Sequence, residues 1–143
     1  MDTSFAVLIS LLRKNFVKFS TGELQKIDIT YNQLFILLYI NKQKEVTQIE
    51  ISNFLKLDKS QLNRTLNILK EKDLILLEKS NQDKRKTIIK LTQNGNNIVN
   101  KSKGLFYEWD DIALKNLSED ERKGIIFIIK KIVKNISEVD KWN

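Results

Sequence analysis

The segment LDKSQLNRTLNILKEKDLILLEKSNQDKRKTIIKLT, residues 57–92, contains the clearest evidence for the fold of this chain of 143 residues. Asp58 is placed to cap a helix in which leucines recur at helical spacing up to about residue 72. Two β-prone runs follow, residues 74–80 and 87–91, separated by a polar and highly charged turn. The stretch therefore predicts a helix followed at once by a two-stranded hairpin.

The sequence before this stretch predicts two further helices. Thr30 and Gln33 form the pattern of a capping box, and Thr47 and Glu50 form a second one. The first opens a helix that runs to about Ile40, and the second opens a short helix that ends about three residues before the next one. Such a short connection is helix-turn-helix spacing. With the hairpin directly after it, the pattern is that of a winged helix.

Amphipathic helices are predicted on both sides of this unit. Apolar residues recur at helical spacing over residues 3–19, and the Gly of Ser20-Thr21-Gly22 is expected to end that helix. Thr92 opens a helix to about residue 115, and the capping box that begins at Ser118 opens the last one. We thus expect a mostly α protein with a small β-hairpin. Its predicted regions are an N-terminal helix (1–29), a winged helix-turn-helix (30–92) and C-terminal helices (93–143).

The composition excludes several classes of function. The chain has no Cys, His or Pro, so thiol chemistry and the usual zinc ligands and general base are missing. No Ser–His or Cys–His pair supports a hydrolase, and we predict no enzyme, no cofactor and no metal site. The longest run without a charged residue, 29–41, is too short to span a bilayer. No signal peptide is evident, and a cytoplasmic location is expected.

The predicted helix after Asp58 carries a polar face suited to DNA. Arg forks onto guanine, Asn and Gln pair with adenine, and Lys and Ser near a helix start suit phosphate. The alternative is an ordinary solvated face, but this face is rich in amides rather than in Glu. The candidate DNA-contacting residues are Lys59, Ser60, Gln61, Asn63, Arg64 and Asn67.

The charged turn of the hairpin is a second candidate. Lys84, Arg85 and Lys86 are suited to phosphates or to a narrow minor groove, although charge also simply solubilises turns. The net charge of the chain is +7, of which residues 44–92 carry +4. Two of its four arginines, Arg64 and Arg85, fall in the predicted helix and the predicted wing. This placement favours a DNA partner more than the total charge does.

In this order the motifs resemble the MarR family of bacterial transcriptional regulators, over most of the chain. The resemblance is carried by five segments: ITYNQLF (29–35), LDKS (57–60), LKEKDLI (69–75), DKRK (83–86) and LTQNG (91–95). The wing Asp-x-Arg followed by Leu-Thr-x-x-Gly is specific in this context. Where the family usually has Gly after the recognition helix, this chain has Asp73, which tolerates a positive φ less easily.

The resemblance implies a homodimeric winged-helix protein, usually a repressor, on a pseudo-palindromic operator. It assigns the recognition helix to the major groove and Arg85 to the minor groove, with Asp83 orienting nearby cations. It also implies that the first and last helices form the dimer interface. Many such proteins respond to a ligand. Because this chain has no Cys or His, oxidant sensing through thiols is excluded and sensing of zinc or copper is disfavoured. The remaining alternatives are a small organic effector or no effector. A helical protein-interaction module without DNA binding is the alternative function.

Overall fold

The computed structural model describes residues 4–137, within which it forms six helices and three short strands. The predicted helix start at residue 3 and the last part of the predicted C-terminal region, residues 138–143, lie outside the described residues. The elements in chain order are α1 (Phe5–Gln25), α2 (Tyr31–Gln43), β1 (Val46–Thr47), α3 (Gln48–Leu55), α4 (Lys59–Glu71), β2 (Ile75–Lys79), β3 (Thr87–Leu91), α5 (Gln93–Ala113) and α6 (Glu119–Ser137).

Two compact units divide the chain. Residues up to Phe106 belong to the first and residues from Tyr107 to the second, so α5 begins in one and ends in the other. No helix within residues 4–137 combines the length and apolar character needed to cross a bilayer. The fold is the mostly α winged helix that the sequence predicts.

The predicted helix starts are confirmed, since polar side chains cap them as expected. The Thr30 hydroxyl accepts from the Gln33 N–H at 3.2 Å, and Gln33 Oε1 accepts from the Thr30 N–H at 3.1 Å. Thr47 and Glu50 form the same reciprocal pair at the start of α3. Asp58 accepts from the third residue of α4 at 2.7 Å. Each bond satisfies a backbone N–H that a helix start leaves without an intrahelical partner.

The predicted end of the first helix is wrong, because α1 continues past Gly22 to Gln25. Gly22 does not adopt a positive φ, whereas Leu24, one turn further on, is only 1% exposed. Burying that leucine in the core outweighs the small cost of a glycine within a helix. The left-handed residue that ends this region is Asp28, with φ 54°.

The sheet has three strands rather than the predicted two, in the order β1-β3-β2. Strands β2 and β3 form the predicted antiparallel hairpin, and β1 pairs with the other side of β3 through Val46 opposite Ile89 and Thr47 opposite Ile88. The extra strand supplies partners for backbone groups of β3 that a lone hairpin leaves open. A strand of two residues has no periodicity from which it can be predicted.

The Leu-Thr-x-x-Gly segment, residues 91–95, contacts the turn that follows α4. Asp73 has a positive φ of 57°, as expected at the position where the family resemblance implies Gly, and its carbonyl accepts from the Thr92 hydroxyl at 2.6 Å. Asn94 donates to the Asp73 carboxylate at 3.0 Å. Gly95 is buried directly against the backbone carbonyl of Leu74. These contacts hold the end of α4 and the start of the wing against α5.

Candidate nucleic-acid interface

Helix α4 has a buried apolar face and an exposed polar face. Leu62, Leu66 and Leu69 are 0, 4 and 0% exposed. Since three side chains at helical spacing are fixed in the core, the rotation of α4 about its axis is determined. All six residues of the helix that were predicted to contact DNA are exposed on the opposite side: Lys59, Ser60, Gln61, Asn63, Arg64 and Asn67.

A short and well-bonded turn positions the start of α4. Lys56 takes a left-handed conformation with φ 55°, which reverses the chain after α3. The Ser52 hydroxyl donates to the Leu57 carbonyl at 2.7 Å, and Asp58 then caps α4. At the far end, Lys72 contacts the turn before α2, where its ammonium lies 3.4 Å from the Asp28 carboxylate. The start of the helix is thus tied to α3, and its end to the turn before α2.

The turn of the wing is organised by two polar side chains. The Ser80 hydroxyl accepts from the N–H groups of Gln82 and Asp83, both at 3.2 Å. Asp83 Oδ1 then accepts from the backbone N–H of Arg85 at 3.0 Å and from its Nε at 3.3 Å. The Arg85 side chain is nevertheless 93% exposed. Asp83 therefore orients the arginine while leaving most of the guanidinium accessible.

A groove of about 700 Å³ lies between the helix-turn-helix and the wing. Lys59 from the start of α4 lines it together with Arg85 and Lys86 from the wing. The structure thus brings together three of the predicted residues although α4 and the wing turn are separate in sequence. Glu50 is the acidic residue in this lining, and its carboxylate accepts the Thr47 N–H at 2.9 Å. The groove therefore carries excess positive charge and is suited to a polyanion.

The remaining predicted residues are not in the lining of the groove. Ser60, Gln61, Asn63, Arg64 and Asn67 lie on the open face of α4, and Lys84 is exposed in the wing turn. Asp83 is partly exposed and accepts the two hydrogen bonds from Arg85. The arrangement is a cationic groove beside an amide-rich helix face.

Gln48 belongs to this region although it is not among the DNA-contacting residues predicted from the sequence. It is the first residue of α3, lines the groove, and donates from Nε2 to Oδ1 of Asn63 on α4. The sequence signal that could have indicated Gln48 is its position directly after the capping Thr47. This position places it in the first turn of α3, which lines the groove.

An ion-pair cluster ties the wing strands to the segment before β1. The Lys90 ammonium on β3 lies 3.1 Å from the Glu78 carboxylate on β2 and 3.7 Å from that of Glu45. The hydrogen bond and the charge of Glu78, with a smaller contribution from Glu45, raise the pKa of Lys90. The cluster is exposed, so it aligns the strands more than it stabilises the fold.

Several aromatic residues of the first unit lie against its core. Phe16 stacks on Phe106 with ring centroids 6.0 Å apart, and Tyr39 stacks on Phe54 at 4.2 Å. Phe16, Tyr39 and Phe106 are partly buried and pack against core residues of their unit. These ring contacts are part of the packing of the first unit.

A helix-turn-helix followed by a basic wing defines the winged-helix class of DNA-binding proteins. The sequence profile of the transcriptional regulators SarA/Rot matches residues 18–102. The chain therefore belongs to this family, among the MarR-like winged-helix transcriptional regulators. The HTH-type transcriptional regulator BilQ of Clostridium symbiosum is 31% identical over 134 residues, covering 94% of this chain and 93% of BilQ.

Solved structures agree with this assignment. A crystal structure of MarR superposes with a TM-score of 0.88 and 26% identity, covering 96% of this chain and 95% of that one. A C80S mutant of MarR from E. coli, complexed with operator DNA, superposes with a TM-score of 0.76 and 26% identity over 89% of this chain and 91% of that one. The MarR resemblance and the fold predicted from sequence are confirmed.

Proposed function

We propose that this regulator binds operator DNA with α4 in the major groove and the wing turn in the adjacent minor groove. The observation that carries the proposal is the shared groove, in which Lys59, Arg85 and Lys86 from two separate elements converge. A duplex backbone presents closely spaced negative charges, and cations on two flanking elements match such a ligand. The relative whose structure contains operator DNA supports the same partner.

The exposed face of α4 supports contact with base edges. Gln61, Asn63, Arg64 and Asn67 offer donors and acceptors on a helix narrow enough for the major groove. Lys59 and Ser60, in the first turn, are assigned to phosphates, where the positive end of the helix dipole assists them. We assign base contacts to the amides and Arg64 and backbone contacts to the helix start.

The wing supports insertion of an arginine into a narrow minor groove. Such grooves concentrate negative potential and attract guanidinium groups. Asp83 holds Arg85 by two hydrogen bonds, which reduces the conformational freedom lost on binding. Lys84 and Lys86 flank the arginine in the exposed turn and are assigned to phosphates on either side.

Apolar surfaces on α1 and α6 support a homodimer. Phe5, Leu8 and Leu12 of α1 are 52, 48 and 53% exposed. None of residues 119–137, which form α6, is buried, although the helix carries a stripe of isoleucines. Exposed apolar surface of this extent is characteristic of an interface. We propose that a second copy covers both helices, with residues 1–29 and 93–143 as the dimerisation regions and 30–92 as the DNA-binding region.

A two-fold symmetric dimer would present two wings and two recognition helices, which matches a pseudo-palindromic operator. We propose repression in the cytoplasm as the regulatory outcome, because a dimer seated on an operator excludes other proteins from it. On the basis of the family resemblance, we also propose that a small organic ligand releases the protein from its operator.

Gel-shift titration over a range of salt concentrations tests the DNA assignment. The probe is a duplex selected by the wild-type protein from a library of randomised 24-bp duplexes. Arg85→Ala is expected to weaken all duplexes and to reduce the log–log salt slope by about one for each wing in contact. Arg64→Ala is expected to weaken the selected duplex by about 1–3 kcal/mol and unrelated duplexes much less.

Lys101→Ala is the matched control, because it removes an exposed cation that does not line the groove. If Arg85→Ala leaves both the affinity and the slope unchanged, the wing assignment is wrong. Absence of any salt-dependent DNA binding by the wild-type protein would instead favour a protein-interaction module.

A further inference from the structure

One hydrogen bond joins the first helix of the helix-turn-helix to the exposed face of the second. Gln48 Nε2, at the start of α3, donates to Oδ1 of Asn63 in the second turn of α4. From it we infer that Gln48 is a specificity-determining positioning residue, which sets the orientation in which Asn63 meets a base. This inference rests on the proposed DNA-binding function.

The backbone from which the Gln48 side chain extends is fixed by hydrogen bonds on the residues beside it. The reciprocal hydrogen bonds of Thr47 and Glu50 fix the start of α3. Thr47 is also paired in the sheet, opposite Ile88 of β3. Gln48 is partly buried and lines the groove, whereas Asn63 is exposed. Gln48 therefore extends from a fixed backbone and holds Asn63, whose side chain faces outward.

The bond has a definite chemical consequence for Asn63. A carboxamide has an acceptor oxygen and a donor NH₂ group on opposite sides, and a free Asn can present either. Because Oδ1 of Asn63 faces Gln48, its Nδ2 group points away from α3 as the leading group. A donor suits the acceptors of guanine, adenine and thymine in the major groove. It does not suit cytosine, whose major-groove edge presents a donor.

The structure therefore assigns to Asn63 a discrimination against cytosine that depends on Gln48. A net hydrogen bond in water changes an equilibrium by roughly 2- to 12-fold, so we expect an effect of about 3- to 10-fold on the relative affinity for cytosine. Gln48→Leu removes the donor, because Leu has no polar atom, and should reduce the discrimination. Gln48→Glu can only accept, so it should turn the amide of Asn63 around and favour cytosine at the same position.

The experiment uses the full chain and the wild-type-selected 24-bp duplex with every single-base variant, measured by fluorescence anisotropy at one salt concentration. Asn63→Ala first identifies the base position that Asn63 contacts. At that position Gln48→Leu should lose discrimination against cytosine. The double variant Gln48→Leu/Asn63→Ala should lose no more of this discrimination than Asn63→Ala alone. The charge of Gln48→Glu acts on every duplex equally and cancels in the ratio between bases. Asn100→Leu is the matched control, because it also replaces an amide by Leu but at an exposed position outside the groove lining, and it should leave every base preference unchanged.

Each outcome decides a separate point. A uniform loss of affinity in Gln48→Leu at every position, with preferences unchanged, would indicate a merely structural role and overturn the inference. So would Asn63→Ala leaving every base preference unchanged, although DNA binding itself would stand. If the wild-type protein selects no duplex at all, the proposed function fails, and the inference fails with it. Thermal melts of all variants establish that each is folded before its affinity is compared.

Discussion

Substituting Gly95 by Ala is expected to destabilise this protein, although Ala is the better helix former. Gly95 lies in the first turn of α5, and its N–H donates to the Thr92 hydroxyl at 3.0 Å. A Cβ atom at this position would overlap the Leu74 carbonyl oxygen and lie 3.2 Å from the carbonyl carbon and 3.3 Å from a Leu91 methyl group. The obstacle is backbone, which cannot rotate aside as a flexible side chain would.

The magnitude follows from what must move. Forcing a methyl group into packed surroundings typically costs about 1–3 kcal/mol. The Leu74 carbonyl also accepts the Thr92 N–H at 3.1 Å, so displacing it strains a hydrogen bond with a net value of about 1 kcal/mol. Replacing Gly by Ala within a helix recovers roughly 0.8–1 kcal/mol. The net expectation is a loss of about 1–3 kcal/mol in the free energy of unfolding.

Gly104 supplies the control within the same helix. It is exposed, and a Cβ atom there would meet no other atom within 4 Å. Gly104→Ala should therefore raise the free energy of unfolding by roughly 0.5–1 kcal/mol. Urea denaturation followed by circular dichroism, at one protein concentration for all variants, measures both changes. A Gly95→Ala variant as stable as the wild type would contradict this expectation, because the close approach of Leu74 would then cost nothing.

Two further predictions concern α6. Sedimentation equilibrium at micromolar concentration should give twice the chain mass of 16.8 kDa, and Val133→Asp should shift it towards a single chain, whereas Asn135→Asp on the same helix should not. A wild-type mass of one chain would exclude the dimer. The hydrogen bond from the Ser118 N–H at 2.9 Å lowers the pKa of Glu121, so its stabilising contribution is present above the unfolded-state pKa and lost as the pH falls through the lower folded-state value. Carboxyl NMR titration should place the Glu121 midpoint below that of an unstructured Glu, and a midpoint at or above it would contradict the assignment.

Local signals predicted most of the fold. Thr30, Thr47, Asp58 and Ser118 begin helices because each cap satisfies N–H groups within three residues, and such bonds are encoded by adjacent side chains. The two faces of α4 were predictable for the same reason, since leucines at helical spacing must be buried together. Asp73 likewise takes the positive φ that its position in the family pattern requires.

Features that depend on distant residues could not be predicted in this way. The continuation of α1 past Gly22 depends on a core that buries Leu24, and β1 exists because β3 offers a free edge to residues about 40 positions earlier. The hydrogen bond between Gln48 and Asn63 depends on the angle at which α3 meets α4.

Local sequence patterns are enough to predict the order of the six helices and the hairpin, the positions of the caps, and the residue types suited to DNA on α4 and the wing. Tertiary structure decided which of those residues share a groove: Lys59 joins Arg85 and Lys86 there, while the amides of α4 lie on its open face. It also decided that Gln48 holds Asn63. The physical reason is that caps and helical faces arise from interactions over a few residues. The groove, by contrast, arises from long-range packing of the helix pair against the sheet, which no local pattern encodes.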